Sequence, residues 1–118
     1  MDLTSLDFQQ ARIKLVVFKS RLRSVLYGVR EPEEALFSVW DNPFGQWVTL
    51  TLVPRYGLSP EIRTIERVLH QMLHHGHELV RNYQQGRIEE ARAGLEQIEA
   101  YATSINQALH QLEQPSAV

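Results

Sequence analysis

Four of the five histidines, His70, His74, His75 and His77, fall within one eight-residue stretch. His70 and His74 stand at i and i+4. In a helix that spacing puts two imidazoles on one side, one turn apart, a common way of offering two nitrogens to a metal ion such as zinc. His77 extends the row by another turn, His75 points elsewhere, and His110 is remote in sequence. With about 100° per residue and Leu69 at the centre of the local apolar stripe, His70 and His77 lie roughly 80–100° away and His74 roughly 140° away. The three therefore flank a core instead of entering it. Three readings stay open: half-exposed polar residues, a metal site at His70 and His74 with His77 as an extra ligand, or a pH-responsive cluster whose charged imidazoles repel one another.

Catalytic constellations are missing. His70-Gln71-Met72-Leu73-His74 lacks the Glu after the first His that serves zinc proteases as general base. No Gly-rich phosphate loop, Ser-His-Asp order or paired Glu-x-x-His pattern is present. The chain has no cysteine, which excludes disulfides, thiolate metal ligands and thiol redox switching. The expectation is a protein that is not an enzyme and has no catalytic residues.

The elements that carry these residues are helical. Ile88, Ala91, Leu95, Ile98, Ala102, Ile105, Leu109 and Leu112 alternate by three and four, a seam of seven-residue period that a helix packed along its length requires. Before it, Ser59-Pro60-Glu61 reads as an N-cap, a first-turn proline and a first-turn acid. Ile62, Ile65, Leu69, Met72, Leu73, Val80 and Tyr83 mark an apolar stripe, and Gly86 suits a C-cap. Because Arg87-Ile88-Glu89-Glu90 opens the next helix at once, the two must form an antiparallel hairpin.

A first helix from about Leu3 to Tyr27, capped by Asp2 or Thr4, carries Phe8, Ala11, Leu15, Phe18, Leu22 and Val25 on one stripe. Ile13, Val16 and Val17 widen its apolar surface, so this helix is either central to the fold or shared with a second subunit. Glu33 to Phe37 predicts a short helix. Residues 41–57 are the least helical, and the β-branched run Trp47–Val53 predicts an extended segment lying over the bundle. The fold expected is all-α, an antiparallel four-helix bundle of residues 1–114 with one irregular segment at 41–57 and a short tail at 115–118.

Composition is that of one globular domain: 118 residues, 43% hydrophobic and 22% charged. The formal net charge of −2 argues against nucleic acid as a partner. Arg12, Lys14, Lys19, Arg21, Arg23 and Arg30 crowd the first thirty positions, which reads as a solvated face or as a basic surface for an acidic partner. No apolar run approaches the roughly 18–20 residues that span a bilayer, and no secretory signal opens the chain. A cytoplasmic protein without membrane insertion is expected.

Three features then combine: Leu15-Val16-Val17-Phe18-Lys19-Ser20-Arg21-Leu22 on the opening helix, Asn42-Pro43-Phe44-Gly45-Gln46-Trp47, and His70-Gln71-Met72-Leu73-His74 followed by Gln85-Gly86-Arg87-Ile88-Glu89-Glu90-Ala91. In this order and spacing, over nearly the whole chain, they resemble the bacterial chemoreceptor zinc-binding (CZB) domain family. The resemblance implies a four-helix bundle of the kind attached to chemoreceptors and diguanylate cyclases, or found alone, with zinc held by three histidines and one cysteine. His70 and His74 fall on the family's His-x-x-x-His pair, Gly45 and Trp47 on its loop glycine and tryptophan, and Phe18-Lys19 on its aromatic-Lys pair. Leu15 stands at the first-helix histidine position and Asn42 at the cysteine position. Leu15 cannot bind metal, and Asn42 offers only a weak carbonyl oxygen.

Zinc takes four ligands, or three plus water, so the resemblance implies a degenerate site that is zinc-free or weakly binding. The alternative is a zinc-binding sensor with a rearranged site around His70 and His74, completed by Asp41, His77, water or a second subunit. Zinc is the one candidate cofactor, and none is assigned with certainty. The expected role is a stand-alone sensory or regulatory module of bacterial signalling, linked to chemotaxis or cyclic-di-GMP. It would work as a homodimer and act through a protein partner or ligand.

Overall fold

The computed structural model describes residues 3–57 and 59–114, and all regular structure in them is helical. Asp2 as a cap and residues 115–118 as a tail lie outside the described residues. The helices are α1 (Ser5–Leu26), α2 (Pro43–Trp47), α3 (Val53–Tyr56), α4 (Pro60–Gln84), α5 (Ile88–Ala93) and α6 (Leu95–Glu113). A 3₁₀ turn covers Glu34–Phe37, and a π-helical stretch, Val48–Leu52, joins α2 to α3.

Helix α1 starts at a capping box. The Thr4 hydroxyl accepts from the Asp7 N–H at 3.2 Å, and the Asp7 carboxylate accepts from the Thr4 N–H at 2.8 Å. The hydrogen bond from the Thr4 N–H, most strongly, and a second from the Thr4 hydroxyl hold the Asp7 carboxyl below its ordinary range. Its buried residues are the expected seam, Phe8, Ala11, Leu15, Phe18, Leu22 and Val25, with Leu26. At the other end Arg92 donates from Nε to the Leu26 carbonyl at 2.9 Å, and its guanidinium lies 4.2 Å over the Tyr27 ring. One side chain of α5 thereby closes the end of α1.

Ser59 caps α4, its hydroxyl accepting from the Ile62 N–H. The turn through Gly86, at φ +86°, reverses the chain into α5 and α6, which run antiparallel to α4. They are also antiparallel to α1: Glu113 meets Ser5 and Arg12, and Glu99 meets Lys19. The heptad seam persists through Ala91, Ile98, Ala102, Ile105 and Leu109, all buried, but the helix breaks at Gly94. A Cβ there would collide with the Leu79 side chain, so α5 approaches α4 closely at that point.

The 41–57 segment departs from expectation. Instead of an extended segment at Trp47–Val53, residues 43–56 are helical throughout and form a short, broken fourth column of the bundle. The reason is burial. Phe44, Val48 and Leu52 follow at i, i+4 and i+8 and are each at most 2% exposed, a helical spacing that outweighs the β-preference of Trp47, Thr49 and Thr51 between them. The π-helical widening precedes Pro54, which can neither donate to the ladder nor tolerate the carbonyl one α-turn back. Phe8 of α1 packs against this column through Trp47 and Tyr56, at ring distances of 6.0 and 6.4 Å. The molecule measures 53 × 22 × 21 Å. No helix among the described residues is long and apolar enough to cross a membrane.

Candidate functional site

The histidine row lies on the outer side of α4. His70, His74 and His77 line one open groove of about 330 Å3, opposite Glu34, Phe37 and Ser38 from the 3₁₀ turn. Gly76 lets that turn come close. A Cβ at Gly76 would stand 3.2 Å from Phe37 and 3.3 Å from Leu22. Phe37 then packs edge-on against Phe18 and tilts over the His77 ring, whose centroid is 5.3 Å away.

Each imidazole has a different setting. His70 is exposed. His74 Nε2 is 2.7 Å from Glu78 Oε1 on the same helix, with both side chains more than half exposed. His77 Nε2 is 3.5 Å from Glu34 Oε1 and ties α4 to the 3₁₀ turn. Polar contacts this exposed are worth about 0–1 kcal/mol, so they orient the groove more than they stabilise the fold. His75 lies elsewhere, its ring 6.1 Å from Tyr101 and its Nε2 buried without a hydrogen-bond partner among the described residues. His110, near the end of α6, contacts Gln114.

Leu15 and Asn42 are inside the protein, each 1% exposed. Leu15 is part of the hydrophobic core. Asn42 caps α2: Oδ1 accepts from the Phe44 and Gly45 N–H groups at 2.9 and 3.2 Å, and Nδ2 donates to the Leu36 carbonyl at 2.7 Å. Its amide is committed to the backbone around it. Gly45 permits the same fold-back, because a Cβ would run into the Val39 carbonyl. Trp47 stacks on Phe44, with centroids 6.2 Å apart.

The structure thus brings His70, His74 and His77 to one groove and places Leu15 and Asn42 in the interior, away from solvent. The interior side of α4 at this level is occupied by Leu69, Met72, Leu73 and Gly76. Among the described residues no three His, Asp or Glu side chains gather in a geometry that would hold a metal ion. Sequence reasoning passed over Glu34 and Phe37 as partners of His77, and no spacing within α4 could have signalled them, since they come from a turn some forty positions earlier. It also passed over Arg92, whose role depends on where α1 ends.

No protein-family model, curated protein or solved structure matches the chain.

Proposed function

We propose that the chain is a non-catalytic regulatory module of bacterial signalling, of the chemotaxis or cyclic-di-GMP-linked kind, with a degenerate zinc site. In this reading it works as a homodimer and acts through a protein partner. The observation that carries the reading is the occupancy of the two positions that the CZB resemblance assigns to the missing ligands. Leu15 fills core volume, and the Asn42 amide caps α2 and donates to the Leu36 carbonyl. A scaffold kept intact where the ligands were replaced by packing and capping groups is suited to binding through its surface. Immobilised protein should retain a chemoreceptor-type or diguanylate cyclase-type protein from cells that encode it. Recovery of no signalling protein, together with a monomeric state in solution, would overturn the reading.

A second reading, a zinc sensor, is favoured by one observation: His70, His74 and His77 share a groove with Glu34. Calorimetric titration with zinc at neutral pH separates the two. Saturable heat in the wild type that disappears in His70→Ala/His74→Ala supports the sensor. The absence of zinc-dependent heat in the wild type removes it.

A further inference from the structure

Tyr27, at the end of α1, carries two guanidinium groups on its ring. Arg23 lies 5.4 Å from the ring centroid and Arg92 lies 4.2 Å from it. Both arginines line one groove of about 540 Å3 between α1 and the α5–α6 junction. Val16, Leu95 and Ile98 give this groove an apolar wall, and Lys19, Glu96 and Glu99 supply its other charges.

We propose that the groove binds a mononucleotide, with the phosphate held between Arg23 and Arg92 and the base laid on the apolar wall, its N–H groups accepted by Glu96. The proposal goes beyond the regulatory reading above and does not rest on it.

The argument starts from unspent donors. Arg92 is half-buried, and its guanidinium is fixed twice, by the Tyr27 ring and by the 2.9 Å bond from Nε to the Leu26 carbonyl. That bond uses one of five N–H donors. Neither Arg92 nor Arg23 has a carboxylate partner among the described residues, although two glutamates line the same groove. The chain holds 14 acidic side chains against 12 lysines and arginines, so no shortage of acids leaves them open. Guanidiniums already stacked on a ring lose little further freedom when an anion arrives. Two of them match the nearly double negative charge and the several acceptor oxygens of a phosphate monoester.

Closing the end of α1 does not account for the pair. Arg92 alone bonds the Leu26 carbonyl, whereas the Arg23 guanidinium makes no hydrogen bond among the described residues.

The remaining lining selects what the phosphate is attached to. Lys19 and Glu99 neutralise each other at 3.2 Å, which leaves Glu96 as an acceptor without a partner among the described residues. A bare anion gains nothing from that carboxylate, whereas the N–H groups of a base can donate to it. The flat faces of a base also suit the aliphatic wall. The groove falls within the range of about 300–1,000 Å3 usual for small-molecule sites, and inorganic phosphate would leave most of it empty.

Calorimetric titration of the full chain with AMP and with GMP tests the site, with inorganic phosphate, adenosine and guanosine as separate arms. At least one nucleotide should give saturable heat with a Kd on the order of 100 µM, and the other three ligands should bind at least about tenfold more weakly. Arg23→Gln, at an exposed residue, should lower the nucleotide affinity at least about tenfold with an unchanged circular dichroism spectrum. Arg23→Lys, which keeps the charge but loses the planar fork, should also weaken binding. Arg67→Gln makes the same charge change on α4, outside the groove, and should leave the affinity unchanged. Absence of binding by both nucleotides would overturn the proposal, as would inorganic phosphate or a nucleoside binding as tightly as the nucleotides. Equal losses in Arg23→Gln and Arg67→Gln would overturn the placement of the site. None of these outcomes bears on the regulatory reading.

Discussion

Asn42 and Leu36 are joined by a buried hydrogen bond of 2.7 Å, from the amide of the cap residue to the carbonyl of the 3₁₀ turn six positions earlier. With the two bonds that the same side chain accepts from Phe44 and Gly45, it fixes the reversal between that turn and the broken helical column. Removing the amide leaves one carbonyl and two N–H groups without partners in a dry setting. Asn42→Ala should therefore cost about 2–4 kcal/mol, combining a lost cap with unsatisfied buried groups. Urea denaturation measures it, and a loss below about 0.5 kcal/mol would contradict the anchoring role.

Gly45 faces the Val39 backbone with no room for a side chain. Backbone yields less readily than a side chain, so Gly45→Ala should lower stability by about 2–3 kcal/mol despite alanine's better helix propensity. A thermal melt equal to or above that of the wild type would show that the 3₁₀ turn can move aside.

Re-creating the ligand types at the two interior positions should not re-create a zinc site. Leu15→His places an imidazole in a fully apolar setting, and Asn42→Cys removes the cap, while His70 and His74 remain on the exterior. Cobalt added to the double variant should give no intense visible bands of a tetrahedral thiolate complex. Such bands would mean that α4 can rotate its histidines inward.

Glu113 links the end of α6 to the start of α1. The Arg12 guanidinium at 2.6 Å, and then the Ser5 hydroxyl, hold its carboxyl below the usual carboxylate range. A depressed folded-state pKa means that the contribution is complete above the unfolded value, about 4.3, and is lost as pH falls through the lower folded value. Glu113→Gln should cost about 0.5–1 kcal/mol at pH 7, and the difference from the wild type should shrink as pH falls below that of an ordinary carboxyl group. Equal stability at both pH values would remove the pair from the fold's energetics.

Much of the architecture is legible in the chain because helices with one buried stripe write it as spacing. The α1 seam, the Ser59 cap, the Gly86 reversal and the α6 seam all follow from period and punctuation. The 43–56 column was harder, since its strongest composition signal, Val48-Thr49-Leu50-Thr51, is local, whereas the deciding fact is tertiary burial of Phe44, Val48 and Leu52. Phe44, Val48 and Leu52 carried the correct answer at a spacing of four. The flanking position of His70, His74 and His77 was readable from helix angles. Their partners Glu34 and Phe37 were not, because a contact between distant segments leaves no periodicity in either one.

The 53 Å length of this protein sets a condition on how it is weighed. Its radius of gyration is 15.0 Å, against about 13.5 Å for a compact chain of the same length. The elongated shape raises friction, so a single copy migrates in gel filtration ahead of a globular standard of equal mass. Elution volume alone would report a species between one copy and two. Methods that return mass without assuming a shape, such as sedimentation equilibrium or light scattering, are the ones that can count its subunits.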